Sequence, residues 1–302
     1  MGTATKIEWT HTTWNPVTGC DRISPGCQHC YALTLAARLK AMGQAKYQRD
    51  GDPRSSGPGF GVTCHPDTLD APLGWRKPRL VFVDSMSDLF HHQVPEAFIA
   101  RVWATMAATP QHAYQVLTKR PKRARAILTE RHGRRFWDDV LQALRRLVPD
   151  HQRRWALVAE IERCGTAETQ RLSALHGFEL PFGVWALPNV WLGVSIETDT
   201  YTWRADVLRA TPAAVRFASC EPLLGPLPSL NLNGLDWLIT GGESGPQHRP
   251  IDPAWVRDLR DRCSAGGVAF FFKQWGGRTP TAGGRVLDGR TWDQMPAPVG
   301  QR

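Results

Sequence analysis

Short apolar runs that end in polar residues recur along this chain. Leu80-Val81-Phe82-Val83 passes at once into Asp84-Ser85-Met86-Ser87-Asp88. Tyr114-Gln115-Val116-Leu117 ends in Thr118-Lys119-Arg120, Val190-Trp191-Leu192-Gly193-Val194 in Ser195-Ile196-Glu197, and Val215-Arg216-Phe217-Ala218 in Ser219-Cys220-Glu221. Trp237-Leu238-Ile239-Thr240 runs into Gly241-Gly242-Glu243-Ser244, and Val268-Ala269-Phe270-Phe271-Phe272 into Lys273-Gln274-Trp275. Runs this short, rich in aromatic and β-branched residues, predict strands. Between them the spacing predicts helices: Pro95 to Ala108 with an apolar stripe at Phe98, Val102 and Met106, then Lys122 to Thr129, Trp203 to Ala210 and Pro253 to Ser264. Tyr31 to Met42 is an unbroken stretch of good helix formers ending at Gly43.

Strands alternating with helices predict βαβ units and a parallel sheet buried on both faces. With an irregular first strand at Thr12 to Thr18, interrupted by Pro16, the count favours a partial or complete (β/α) barrel of about seven strands. A doubly wound open sheet is the alternative, but no Gly-rich phosphate loop follows the first strand. In a barrel the strand C-termini converge on one rim, where active sites form. Asp84, Ser85, Asp88, Lys119, Ser195, Glu197, Glu221, Glu243 and Lys273 are therefore expected at a common mouth.

The alternation lapses between Glu130 and Pro188. Phe136, Trp137, Val140, Leu141, Leu144 and Leu147 fall at helical spacing, with Arg134, Arg135, Arg145, Arg146, Arg153 and Arg154 nearby. This reads as a helical insertion over 131–188 within a single 1–302 domain, followed by a Gly- and Pro-rich tail over 276–302. Gln44 to Gly61 is too rich in Gly, Pro and Ser for a regular element and is expected to be a mobile lid or disordered loop. The formal net charge of +9 and pI near 9.5 suit an anionic partner such as DNA, RNA or a nucleotide, and the arginines of the insertion are the first candidates for phosphate contact. No apolar stretch is long enough for a transmembrane helix. No secretory leader is visible at Met1 to Thr10, so a cytoplasmic location is expected.

The candidate chemistry lies in Gly19-Cys20-Asp21-Arg22-Ile23-Ser24-Pro25-Gly26-Cys27-Gln28-His29-Cys30-Tyr31. Three cysteines in one loop of a reducing compartment read as metal ligands rather than a disulfide. Thiolates suit zinc or an iron–sulfur cluster. A structural zinc site takes four protein ligands, whereas three thiolates on a 4Fe–4S cluster leave one iron open. The spacing favours the cluster. Zinc stays open as well, completed by His29, Cys64 or His65. Cys30 precedes the predicted helix, whose N-terminus favours a thiolate.

Trp14-Asn15-Pro16-Val17-Thr18-Gly19-Cys20, Cys27-Gln28-His29-Cys30-Tyr31-Ala32, Asp84 through Phe90, Leu117-Thr118-Lys119-Arg120-Pro121, Trp191 through Ser195 and Gly241 through Gly245 together resemble the phage-associated, radical-SAM-like proteins with a three-cysteine motif. The resemblance runs from about Ile7 to Trp275 and is weakest in the insertion. It implies a partial or complete (β/α) barrel with Cys20, Cys27 and Cys30 holding a 4Fe–4S cluster. It further implies S-adenosyl-L-methionine on the open iron, cleaved reductively to a 5′-deoxyadenosyl radical. Asp84, Ser85 and Asp88 match positions that bind the methionine amino group in such enzymes, and Ser195 and Glu197 match ribose or carboxylate contacts. The loop departs from the usual radical-SAM pattern in having six residues, not three, between its first two cysteines. His29 replaces the usual aromatic residue, and the Gly-Gly-Glu follows a late strand.

The expected function is thus an iron–sulfur, radical S-adenosylmethionine-type enzyme acting on a nucleic acid or nucleotide-derived substrate, with Glu221, Glu243 and Lys273 as catalytic candidates. The alternatives are a non-catalytic cluster- or zinc-bearing nucleic-acid-binding phage or defence protein, working with a protein partner, and a zinc hydrolase built on the rim carboxylates.

Overall fold

The alternating pattern folds as its periodicities require. The computed structural model describes residues 3–129, 131–177 and 185–296. Its main sheet is built from β1 (Thr3–Ala4), β2 (Thr12–Trp14), β5 (Leu80–Val83), β6 (Ala113–Thr118), β7 (Val190–Ser195), β8 (Val215–Cys220), β9 (Trp237–Gly241) and β10 (Ala269–Gln274), in that spatial order. From β2 onward every neighbouring pair is parallel, giving seven parallel strands, while β1 is antiparallel on the β2 edge. Strand order follows chain order with no reversal, so there is no switch point and the doubly wound alternative is excluded.

The sheet is curled into a half-barrel. Trp9 stacks 4.7 Å from Phe82 on β5 and lies 6.1 Å from Trp237 on β9. Those strands are four places apart, about 19 Å in a flat sheet at about 4.8 Å per strand, so one ring can meet both only across a concave face. The concave floor is aromatic: Trp9, Phe82, Trp191, Phe217, Trp237 and Phe271 pack with Val215 and Ile239. The convex face carries the helices α2 (Glu96–Ala108), α3 (Pro121–Thr129), α4 (Arg131–Leu147), α5 (His151–His176), α6 (Trp203–Arg209) and α7 (Pro253–Gly266), while α1 (Tyr31–Ala41) packs Ala32 and Ala36 against Phe60 and Met86 beside Cys20 and Cys30. None is long and apolar enough to cross a membrane among the described residues.

Pro16 splits the first predicted strand. Beyond it, β3 (Val17–Thr18) leaves the main sheet and pairs antiparallel with β4 (Thr63–Cys64). In the 131–188 segment, α4 lays Phe136, Trp137, Val140 and Leu144 into the core against α2, and α5 runs on from the Asp150 N-cap to Gly177; residues 178–184 lie outside the described residues. The tail packs on the β10 edge: the Phe272 amide donates to the Trp292 carbonyl at 2.7 Å and the Phe270 amide to Gln294 Oε1 at 2.8 Å. Residues 297–302 lie outside the described residues. Both edges of the open sheet are thus covered by the chain's own segments.

Candidate metal and active site

The polar ends of the strands meet the cysteine loop. The loop has little regular structure, only a 3-10 turn at Pro25–Cys27 and Cys30 as the N-cap of α1. It is seated by contacts to four strand ends. After β5, the Ser85 carbonyl accepts the Tyr31 hydroxyl at 2.5 Å. After β6, Arg120 Nη1 donates to Cys20 Sγ at 3.4 Å and Nη2 to the Asp21 carbonyl at 3.4 Å. After β7, Glu197 accepts the Ser24 hydroxyl at 2.5 Å. After β9, Glu243 Oε2 lies 3.0 Å from His29 Nδ1, and Arg249 donates to Glu243, to the Pro25 carbonyl at 3.1 Å and to Gln28 Oε1 at 3.0 Å. Gly26 lies so close to Glu197 that a Cβ there would overlap its Cγ, so the side-chain-free position is what allows the approach.

The thiols share one electrostatic environment. Burial pushes Cys20 up to about 12, with Asp88 adding to the rise and Arg120 opposing it; Cys27 also raises it. Burial raises Cys30 too, opposed by hydrogen bonds from the first turn of α1 and by Lys119. The Ser24 hydroxyl is 3.7 Å from Cys27 Sγ. A cation bound here would ionise these sulfurs, as it does metal-binding thiols. Among the described residues the three sulfurs are not all within 4.8 Å of one another, whereas one tetrahedral zinc with bonds of about 2.3 Å needs sulfurs about 3.8 Å apart. Cys64 and His65 join no three-ligand group either. His65 Nε2 is 2.8 Å from the Thr18 hydroxyl, and Cys64 pairs with Val17 in the small sheet. The three sulfurs are thus spread more widely than the shell of one tetrahedral zinc.

Each rim residue expected from the sequence has a definite place. Asp84, at φ +57°, accepts the Val17 amide at 2.9 Å, and burial drives its carboxyl well up. Ser85 donates its hydroxyl to Asn15 Oδ1 at 3.1 Å. Asp88 accepts from the Phe90 amide, the Thr118 hydroxyl, the Lys119 amide and Arg120. Ser195 faces inward opposite Ser219, and its carbonyl takes Arg204. Glu197 is fully buried between Lys119 at 3.3 Å and Arg204 at 2.9 Å. Glu221 and Lys273 form an ion pair, each side chain still less than a fifth exposed. Burial works against ionisation of Glu243, but the Arg249 and His29 hydrogen bonds outweigh it and bring its carboxyl down to about 2.

Three groups escaped the sequence reading. Arg249 follows no motif, Arg204 lies inside α6, and Arg120 stood in a quoted motif without a role. Arg120 and Arg249 reach the distant cysteine loop, which leaves no local signal, whereas Arg204 acts on the nearby Ser195 and Glu197. Asp21, His91 and His92 also bring three candidate ligand atoms within 4.8 Å. His91 Nδ1 accepts the Gln93 amide at 3.3 Å, so Nε2 is the donor to Asp21 Oδ2 at 2.9 Å. Asp21 Oδ1 accepts the Ser55 and Ser56 hydroxyls. Together these groups form a hydrogen-bonded bracket beside Cys20. It also overturns the expected lid over Gln44 to Gly61, because Ser55, Ser56 and the Arg22 amide bond to the Ser55 carbonyl tie that segment to the cysteine loop.

A family model described as "Protein of unknown function (DUF5131)" matches residues 4–296. No curated protein sequence matches. Among solved structures, spore photoproduct lyase complexed with dinucleoside spore photoproduct is similar at 12% identity and a TM-score of 0.41, covering 88% of this chain and 64% of that one. A mutant of the same lyase is similar at 13% identity and a TM-score of 0.42, covering 87% and 63%. The chain thus spans less than two thirds of the length of these structures.

Proposed function

We propose, for a chain that belongs to the DUF5131 family, that it is an iron–sulfur enzyme of the radical S-adenosylmethionine type acting on a nucleic acid or nucleotide-derived substrate. The observation that carries this reading is the seating of three cysteine thiols, from one loop, across the C-terminal mouth of a parallel half-barrel. Cys20, Cys27 and Cys30 would hold a 4Fe–4S cluster. When bound, such a cluster supplies the one-electron reduction that cleaves a sulfonium.

The protein's own groups do the rest. Arg120 and the α1 N-terminus present donors to the sulfurs of Cys20 and Cys30, while the Ser24 hydroxyl, its proton given to Glu197, lies beside Cys27. Asp88, Glu197 and Glu243 fix the loop at the rim, so their contribution is to hold the ligands still. Asp84 and Ser85, after β5, and Ser195, at the end of β7, are the groups assigned to the methionine moiety and the ribose. Glu221 and Lys273 face each other at the ends of β8 and β10, where a paired acid and cation can bind an anionic substrate and move a proton. The net charge of +9 favours a phosphate-bearing substrate. The exposed Arg134, Arg135, Arg145 and Arg146 belong to a helix of the outer layer and would serve a backbone rather than the reacting centre.

Anaerobic reconstitution with iron and sulfide tests the assignment. Wild-type protein should bind both and, with a low-potential reductant, release 5′-deoxyadenosine from S-adenosylmethionine, while each cysteine-to-alanine variant should lose iron. An intact cluster without deoxyadenosine rejects the radical chemistry. Salt-sensitive DNA or RNA binding in that case supports the non-catalytic phage or defence role, and zinc in place of iron supports the hydrolase.

A further inference from the structure

The three thiols have different polar neighbours. Cys27 lies beside the neutral Ser24 hydroxyl, and Cys30 lies over the amides that open α1. Cys20 is, among the described residues, the thiol whose sulfur accepts from a side-chain cation, Arg120 Nη1 at 3.4 Å. That same nitrogen donates to Asp88 Oδ2 at 2.9 Å, and Nη2 reaches the Asp21 carbonyl at 3.4 Å. The guanidinium is 13% exposed and the Asp88 side chain 7%. A planar fork held at three points cannot swing away from the sulfur, and its charge acts through a weakly screened medium.

We infer that Arg120 is a positioning residue whose fixed positive charge on the Cys20 sulfur raises the reduction potential of the group the three cysteines hold. This rests on the cluster reading above. Adding an electron to the group increases negative charge beside the guanidinium, so the reduced form gains more from Arg120 than the oxidised form. Asp88 acts with the opposite sign through the same nitrogen. Its carboxylate orients the fork but opposes reduction, so the Arg120–Asp88 pair sets a balance rather than a maximum. Partners beyond the ligands commonly change metal affinity by about 10–100-fold, and a comparable redistribution between oxidation states is expected here.

The test is an anaerobic redox titration followed by electron paramagnetic resonance on reconstituted wild type, Arg120→Gln, Arg120→Lys and Asp88→Asn, with iron and sulfide measured on each sample. Arg120→Gln should shift the reduction equilibrium about tenfold toward the oxidised form, a fall of about 59 mV for one electron. Arg120→Lys should recover part of that shift, and Asp88→Asn should move the potential upward. If Arg120→Gln binds too little iron to titrate, retention of iron by Arg120→Lys supports the charge role, and loss in both overturns it. Equal potentials in wild type and Arg120→Gln at full iron content overturn the inference and leave the cluster reading standing. A wild-type protein that takes up no iron overturns both.

Discussion

Toward the N-terminal ends of the parallel strands, Trp9, Phe82, Trp191, Phe217, Trp237 and Phe271 meet ring to ring. At the C-terminal ends of the same strands, Asp88, Glu197 and Glu243 grip arginines, a lysine and the cysteine loop. The floor is held by burial, which has no preferred direction and tolerates small shifts. The rim is held by charge-assisted hydrogen bonds, which fail when a donor moves by an ångström. A scaffold can thus be stable at one end while the other end fixes the cysteine loop in place.

Breaking the floor should have the largest effect on stability. Trp237 is fully buried and touches aromatic partners from four directions. Trp237→Ala should cost about 3–5 kcal/mol, read from denaturant unfolding, while the protein that remains folded keeps its iron. Gly26→Ala sharpens the contrast from the other side. The new methyl must displace a Glu197 that Lys119 and Arg204 hold from both sides. The stability cost should be about 1–3 kcal/mol, with iron retention falling more steeply than stability. Retention of full iron by Gly26→Ala, or its loss from folded Trp237→Ala, would erase the distinction between the two ends.

The smallest effect is the acid response of the rim. Glu243 is held down to about 2 from an ordinary 4.5, below its value in the unfolded chain. Its contribution is therefore complete above about pH 4.5 and is lost as pH falls through about 2. The stability difference between wild type and Glu243→Gln should be constant above pH 5 and shrink toward pH 2. A difference independent of pH would remove Glu243 from the seating of the loop.

The strands and most helices were legible because burial on two faces writes itself into local runs: β5 spans Leu80–Val83, as its apolar run predicts, and α1 ends beside Gly43. The gathering of polar residues at one rim was legible for the same reason, since each run carries its own tail. What those residues touch was not. Glu243 answers to His29 and Arg249, and Ser24 to Glu197, and such pairings carry no period. The tail was equally silent, because edge pairing through Trp292 and Gln294 uses mainly main-chain groups that any residue offers, with one side-chain oxygen from Gln294. The Gln44 to Gly61 composition signals irregular backbone, and irregular backbone can still be tied down by the serines it contains.

The bond between Arg249 and the Pro25 carbonyl joins residues 224 positions apart. During synthesis at about 5–20 residues per second, the sulfurs leave the ribosome roughly 10–45 s before their last anchor. Through that interval they hang from an unfinished scaffold, open to stray oxidants and to whichever soft ion arrives first. Loading of the proposed cluster would therefore be a matter of timing, favoured after translation has passed β9 and Arg249.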